Sequence, residues 1–179
     1  MTFLKKTWLP VLPLAALLAL ALPACASAGT TPAPSPAVTD PDALSNAAPA
    51  QPVAPGGSLV IPVSELSDAV RFYPATVDGV TMEVLAVKTG DGKLRTAFNT
   101  CQVCNGSPYA YFEQRGDKVE CQNCGNQFPM NRIEAEAGGC NPWPIFPDQK
   151  TETDAEIRIG YEFLSANAPI FSSWKEGIQ

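Results

Sequence analysis

Five thiols stand within forty residues, at Cys101, Cys104, Cys121, Cys124 and Cys140, spaced C-x2-C, sixteen residues, C-x2-C, fifteen residues, C. Two C-x2-C pairs at that separation can deliver four soft thiolates to one tetrahedral centre, which suits Zn²⁺, a single iron or the thiolate set of an iron–sulfur cluster. A disulfide framework is the competing reading, because cysteines outside the cytosol are usually paired. Counting opposes it: five is odd, and the sixth cysteine, Cys25, belongs to a targeting region. The spacing makes Cys101, Cys104, Cys121 and Cys124 the first four ligands. Cys140 stands apart in the turn-forming stretch Gly138-Gly139-Cys140-Asn141-Pro142 and is expected as a fifth ligand, a replacement ligand or a free thiol.

The sequence contains no histidine. That removes a histidine triad, a His-ligated haem, a catalytic His-zinc site and a Rieske centre with two His ligands. A thiol–disulfide oxidoreductase is disfavoured too, since its C-x2-C opens a helix in a βαβ unit and no such unit is visible. Glu134, Glu136 and Asp148 follow the second pair and read as solvated loop charges, so no catalytic set emerges. Gly106 and Gly125 each follow a cysteine pair and are expected at positive φ, where backbone N–H groups can turn toward sulfur. Tyr109, Tyr111, Phe128 and Trp143 either shield the site from water or fill the core.

The elements that must position these thiols follow a two-residue period broken by frequent turn signals. Ser58 to Val63 is apolar and β-branched, and Val70 to Val77 and Val80 to Lys88 flank Asp78-Gly79, a two-residue hairpin signal. Gly90-Asp91-Gly92 turns the chain into Leu94 to Phe98, which runs into the first pair. Tyr109 to Gln114 and Lys118 to Cys121 flank Arg115-Gly116-Asp117 as a second hairpin that delivers the second pair. Ile157, Ile159, Tyr161 and Phe163 alternate as a late strand. Ser64 to Ala69 and Leu164 to Trp174 read as helical, with Pro169 interrupting the second. The expected fold is a small, mainly β domain with minor helix, in which zinc-ribbon-like or Rieske-like hairpins carry the Cys-rich site.

Residues 1–24 read as a signal peptide: Lys5 and Lys6, an apolar stretch from Leu9 to Leu22, then small residues. Leu22-Pro23-Ala24-Cys25 is similar to a bacterial lipobox, which makes Cys25 the expected lipid attachment site; cleavage after Ala28 is the alternative. Residues 25–57 are rich in Pro, Ala, Ser and Thr and are expected to be an extended spacer, leaving 58–179 as the metal-binding domain. No twin-arginine pair is present, so export unfolded would require the metal to be acquired outside the cytoplasm. Loss of Lys5 and Lys6 leaves ten basic against eighteen acidic side chains, a balance that argues against nucleic acid as a partner.

The stretch 99–144 is distantly similar to a Rieske segment in which cysteines stand where that family places histidines. A closer likeness lies in Ala97-Phe98-Asn99-Thr100-Cys101-Gln102-Val103-Cys104, Val119-Glu120-Cys121-Gln122-Asn123-Cys124-Gly125, Phe128-Pro129 with Ile133, and Gly138-Gly139-Cys140-Asn141-Pro142. Together these resemble the FtrD-like family of membrane iron–sulfur containing proteins over roughly residues 80–145. The resemblance implies an iron–sulfur or iron-handling role in electron transfer outside the cytoplasm. It also implies that all five cysteines belong to the motif, and that an iron-transport or redox membrane protein is the partner. The chain departs from that family upstream, where a signal and a Pro-rich spacer stand in place of a multi-span membrane portion. Two classes of function remain open. One is a membrane-tethered, non-enzymatic electron carrier or iron-handling protein with an iron–sulfur cluster. The other is a structural Zn²⁺ ribbon in an interaction module, or a Zn²⁺ or Cu⁺ delivery protein.

Overall fold

Alternating apolar residues and glycine-rich turns resolve into eleven short strands and one helix among residues 46–178, the part of the chain that this computed structural model describes. The signal region, Cys25 and residues 26–45 lie outside the described residues. In chain order the strands are β1 (Gln51–Pro52), β2 (Ser58–Pro62), β3 (Arg71–Val77), β4 (Val80–Lys88), β5 (Leu94–Cys101), β6 (Phe112–Arg115), β7 (Lys118–Cys121), β8 (Gln127–Pro129), β9 (Pro142–Pro144), β10 (Thr151–Glu152) and β11 (Glu156–Gly160), followed by helix α1 (Tyr161–Asn167).

The strands form a five-stranded sheet in the order β1-β3-β4-β5-β9 and two three-stranded sheets, β10-β11-β2 and β6-β7-β8. The five-stranded sheet is the middle layer. Its β4 is buried without interruption from Met82 to Val87, the pattern of a strand covered on both faces. Met82 and Val84 join Leu59, Ile157, Leu164 and Phe171 in one core, against β2, β11 and the C-terminal helical segment. Leu85 and Val87 face the opposite way and join Phe112, Val119 and Phe128 in a second core against the β6-β7-β8 sheet. Cys101 and Cys121 are part of that second core, so the thiol site grows from the seam between the middle sheet and the β6-β7-β8 sheet.

The mainly β architecture expected from the sequence is the one observed, with local differences that have physical causes. Ala47 to Val53, inside the stretch read as spacer, packs onto the fold: β1 pairs in parallel with β3, and Ala48 and Val53 are buried. The Gln51 side chain bonds both the N–H and the C=O of Val60, standing in for a strand partner of β2. The late strand ends at Gly160, and Tyr161 and Phe163 lie in α1 instead. An alternating apolar pattern over so few residues also fits one face of a helix, and the packing of Leu164, Ala168 and Phe171 on the core decides for helix. Pro169 opens a 3₁₀ turn, Ala168–Phe171, at the expected break. Ser64 to Ala69 yields only the 3₁₀ turn Val63–Glu65, too short a stretch to sustain a helix.

Asp78-Gly79 forms the expected tight turn, with φ of 52° and 79°. The Asp78 carboxylate accepts hydrogen bonds from Tyr161 Oη at 2.7 Å and Ser165 Oγ at 2.6 Å, which clamps the hairpin tip to α1. The Ser165 hydroxyl first, and the Tyr161 hydroxyl second, hold this carboxyl below the ordinary Asp value. A folded-state value below the unfolded one gives stability that is present above about pH 4 and is lost as pH falls through the folded value. Asp78→Asn keeps a residue that tolerates the turn. Its melting temperature is therefore expected to fall less steeply than that of the parent chain between about pH 5 and pH 2.5, measured by thermal unfolding.

Candidate metal centre

Two turns of the same construction present the paired thiols. β5 ends on Cys101, whose thiolate form the amides of Cys104 and Val103 favour; β7 ends on Cys121, whose thiolate form the amides of Cys124 and Asn123 favour. Gly106 and Gly125 have φ of 95° and 70°, as expected, and the Gly125 N–H closes its turn on the Cys121 carbonyl at 2.8 Å. Ser107 Oγ donates to Asn123 Oδ1 at 2.7 Å and ties the two turns together.

Cys140 arrives on a third segment, through Gly138 and Gly139 at φ of 87° and 71°. Gln102 holds this segment in place: its side chain accepts from the Gly138 N–H at 2.9 Å and donates to the Pro142 carbonyl at 3.2 Å, while its own N–H donates to the Asn141 carbonyl at 3.1 Å. Asn126 Nδ2 adds a bond to the Cys140 carbonyl at 2.9 Å. Side-chain amides, the Gln102 N–H and the pairing of Pro142 in β9 with Cys101 in β5 thus join this segment to the first turn.

The five cysteines among the described residues are free thiols. The sulfurs of Cys101, Cys104, Cys124 and Cys140 all lie within 4.8 Å of one another. Cys121 falls outside that mutual set, in the core that also holds Cys101. The fourth member brought in by the fold is therefore Cys140, the thiol that spacing set apart. Sequence distance could not reveal it, because only the folded path of residues 125–139 determines where Cys140 arrives.

Burial pushes the Cys101 thiol above its ordinary value, against the amides that favour its thiolate, and pushes Cys121 up to about 11 in the same way. Cys124 moves the other way. Its slight burial acts upward, but the Asn126 amide and the neighbouring thiols bring it below the ordinary thiol value. Cys140 is raised, first by its hydrogen bond with the Cys124 thiol. A bound cation has to displace these protons, so metal affinity falls as pH falls.

Glu134, read from sequence as a solvated charge, is buried at φ 66°. Its carboxylate accepts from the Thr96 N–H at 2.9 Å, the Thr96 hydroxyl at 3.1 Å and Lys150 Nζ at 2.7 Å. This ion pair pins the start of the Cys140 segment to β5. On the other side, Asn99 bonds Glu83, the Phe112 N–H and the indole of Trp174, so the C-terminal segment braces the strand that carries Cys101. Neither network was legible as a site support in the sequence. Of the aromatic residues expected as shields, Phe128 packs in the core that holds Cys101 and Cys121, Trp143 packs against the other core, and Tyr109 is exposed. Residues 101–112, 121–131 and 137–147 carry no charged side chain, and among the described residues Val103 and Tyr109 are the large apolar ones left exposed.

The donor set fits a thiolate-bound metal. Four thiolates at about 2.3 Å around one tetrahedral ion stand about 3.8 Å apart, inside the spread observed here. A family model described as membrane iron-sulfur containing protein FtrD-like matches residues 66–171. The chain belongs to this family. The match to this FtrD-like model takes in Cys101, Cys104, Cys121, Cys124 and Cys140 and most of both cores. Among curated proteins and among solved structures, nothing matches the chain. The family is described as a membrane one; among the described residues no helix is long and apolar enough to cross a bilayer.

Proposed function

We propose that this FtrD-like protein is an exported iron–sulfur protein, held to the membrane through lipidated Cys25 and the Pro-rich spacer, that carries electrons or handles iron outside the cytoplasm. The observation that carries this reading is the convergence of Cys101, Cys104, Cys124 and Cys140 within 4.8 Å, in a chain that belongs to a family of iron–sulfur proteins. Iron held by thiolates supplies one-electron chemistry at a potential set by its surroundings. Here the amides of Val103 and Cys104 favour the thiolate form of Cys101, and those of Asn123 and Cys124 that of Cys121. The core of Phe112, Val119 and Phe128 packs on the inner side of Cys101 and Cys121, and exposed Val103 and Tyr109 leave apolar surface open to a partner.

The four sulfurs within 4.8 Å of one another fit thiolate-bound iron. The same compactness fits Zn²⁺, which would make the domain a structural ribbon or a metal-delivery module. The deciding experiment is iron, sulfide, zinc and copper analysis of the full chain purified anaerobically, with an absorption spectrum of the same sample. Iron with visible thiolate-to-iron absorption is the expected result; one zinc per chain without colour would replace the redox reading with the zinc one.

A further inference from the structure

A cavity of about 310 Å³ that no thiol lines lies between the middle sheet and the β6-β7-β8 sheet. Phe72, Glu83 and Asn99 line it from the first, Tyr111 and Phe112 from the second, and Lys175 from the C-terminal segment. Its size is at the lower end of the range of small-ligand clefts, roughly 300–1,000 Å³. The group that sets its chemistry is Glu83, whose side chain is 8% exposed. A carboxylate so far out of water needs partners. The two it has, Asn99 Nδ2 at 2.7 Å and Lys175 Nζ at 3.4 Å, both reach Oε1, and Oε2 accepts no hydrogen bond among the described residues. Glu113 also lines the cavity but is paired with Arg115 at 3.2 Å, which leaves Glu83 as the carboxylate that an entering cation meets.

Lys175 displays the ligand chemistry that this place accepts. Its ammonium lies 4.7 Å from the centre of the Tyr111 ring and 4.4 Å from that of Trp174, so two aromatic faces and a carboxylate surround one cation. The hold on it is weak. Its bond to Glu83 is long and its side chain is 36% exposed, so the ammonium can withdraw into water at little cost. The Trp174 ring does not depend on it: the indole N–H donates to the Asn99 carbonyl at 2.6 Å, and the Lys175 N–H to the Pro108 carbonyl at 3.0 Å. We propose that this cavity is a binding site for an alkylammonium group, carried by a free amine or by a lysine side chain of a partner. The group takes the place of the Lys175 ammonium against Glu83, Tyr111 and Trp174, and its alkyl stem lies along Phe72, Phe112 and Ile178. An anion would meet the buried carboxylate, and an apolar ligand would leave its Oε2 unpaired.

The test titrates the full chain with n-butylammonium, as the free amine, and with Nα-acetyllysine methylamide, as the lysine side chain. Butan-1-ol is the uncharged control, and binding is read by NMR at the indole N–H of Trp174. Saturable shifts with an ammonium probe and none with butan-1-ol are the expected result, and whichever probe saturates identifies the source. Lys175→Met keeps the stem and removes the internal ammonium, so it should bind at least tenfold more tightly than the parent. Glu83→Gln should bind at least tenfold more weakly. Tyr111→Leu, which leaves the buried bonds of Glu83 intact, should weaken binding as well and serves where Glu83→Gln fails to fold by circular dichroism. No saturable shift in the parent chain, a matching response to butan-1-ol, or unchanged affinity in Lys175→Met, Tyr111→Leu or folded Glu83→Gln would overturn the site.

Discussion

Cys124→Ser is expected to abolish stoichiometric metal binding and to lower the melting temperature by about 10 °C or more, a loss on the order of 3 kcal/mol or greater. Cys124 is the most direct test of the centre because its thiol is exposed, so exchanging sulfur for oxygen removes a ligand while costing little packing. It is also one of the four sulfurs that lie within 4.8 Å of one another. Metal binding by thiols brought together only in the folded chain adds its free energy to folding. The parent protein treated with a chelator should therefore melt where the variant melts, while the variant should be indifferent to the chelator. Metal content by elemental analysis, with thermal unfolding in the presence and absence of chelator, checks both statements. A variant that keeps its metal and melting temperature would remove Cys124 from the centre.

Local information in the sequence accounts for the parts of the site that are local in space. The two C-x2-C turns, their glycines and the strands that carry them follow from spacing, turn chemistry and alternation, since each involves residues only a few positions apart. Asp78-Gly79 was legible for the same reason: two successive residues at positive φ demand this type of pair. The role of Cys140 was not, because its distance from the other thiols depends on how fifteen intervening residues are anchored. The anchor is Glu134, and its partners Thr96 and Lys150 lie 38 and 16 residues away. A lone glutamate in a loop is most often solvated, and only a burial pattern of the folded chain marks this one as different. The boundary of the fold was misjudged on the same grounds. Ala47 to Val53 is compositionally spacer-like, yet a parallel pairing with β3 and the Gln51 side chain bring it onto the domain.

That anchor is where a single charge should matter most for stability. The side chains of Lys150 and Glu134 are 1% and 6% exposed, and the ammonium group donates to Glu134 at 2.7 Å and to the Thr96 hydroxyl at 3.1 Å. Glu152 lies 3.6 Å from the same ammonium but is itself half-exposed, so solvent weakens its hold. Glu134→Gln keeps the size and backbone conformation of the residue and removes only the charge. Lys150 is then left buried without its counter-charge, a change that typically costs about 3–5 kcal/mol. Urea unfolding of the metal-free protein should show a loss of that size, and adding Lys150→Met should recover most of it, since an apolar residue needs no counter-charge. If Glu134→Gln alone is near neutral, the ion pair is not what pins this segment. The consequence for the site follows from position: Glu134 holds the near end of the segment on β5, and Cys140 lies six residues beyond it. Release of this hold leaves the Cys140 turn attached through Gln102 and Asn126, so metal release to a chelator should quicken in Glu134→Gln.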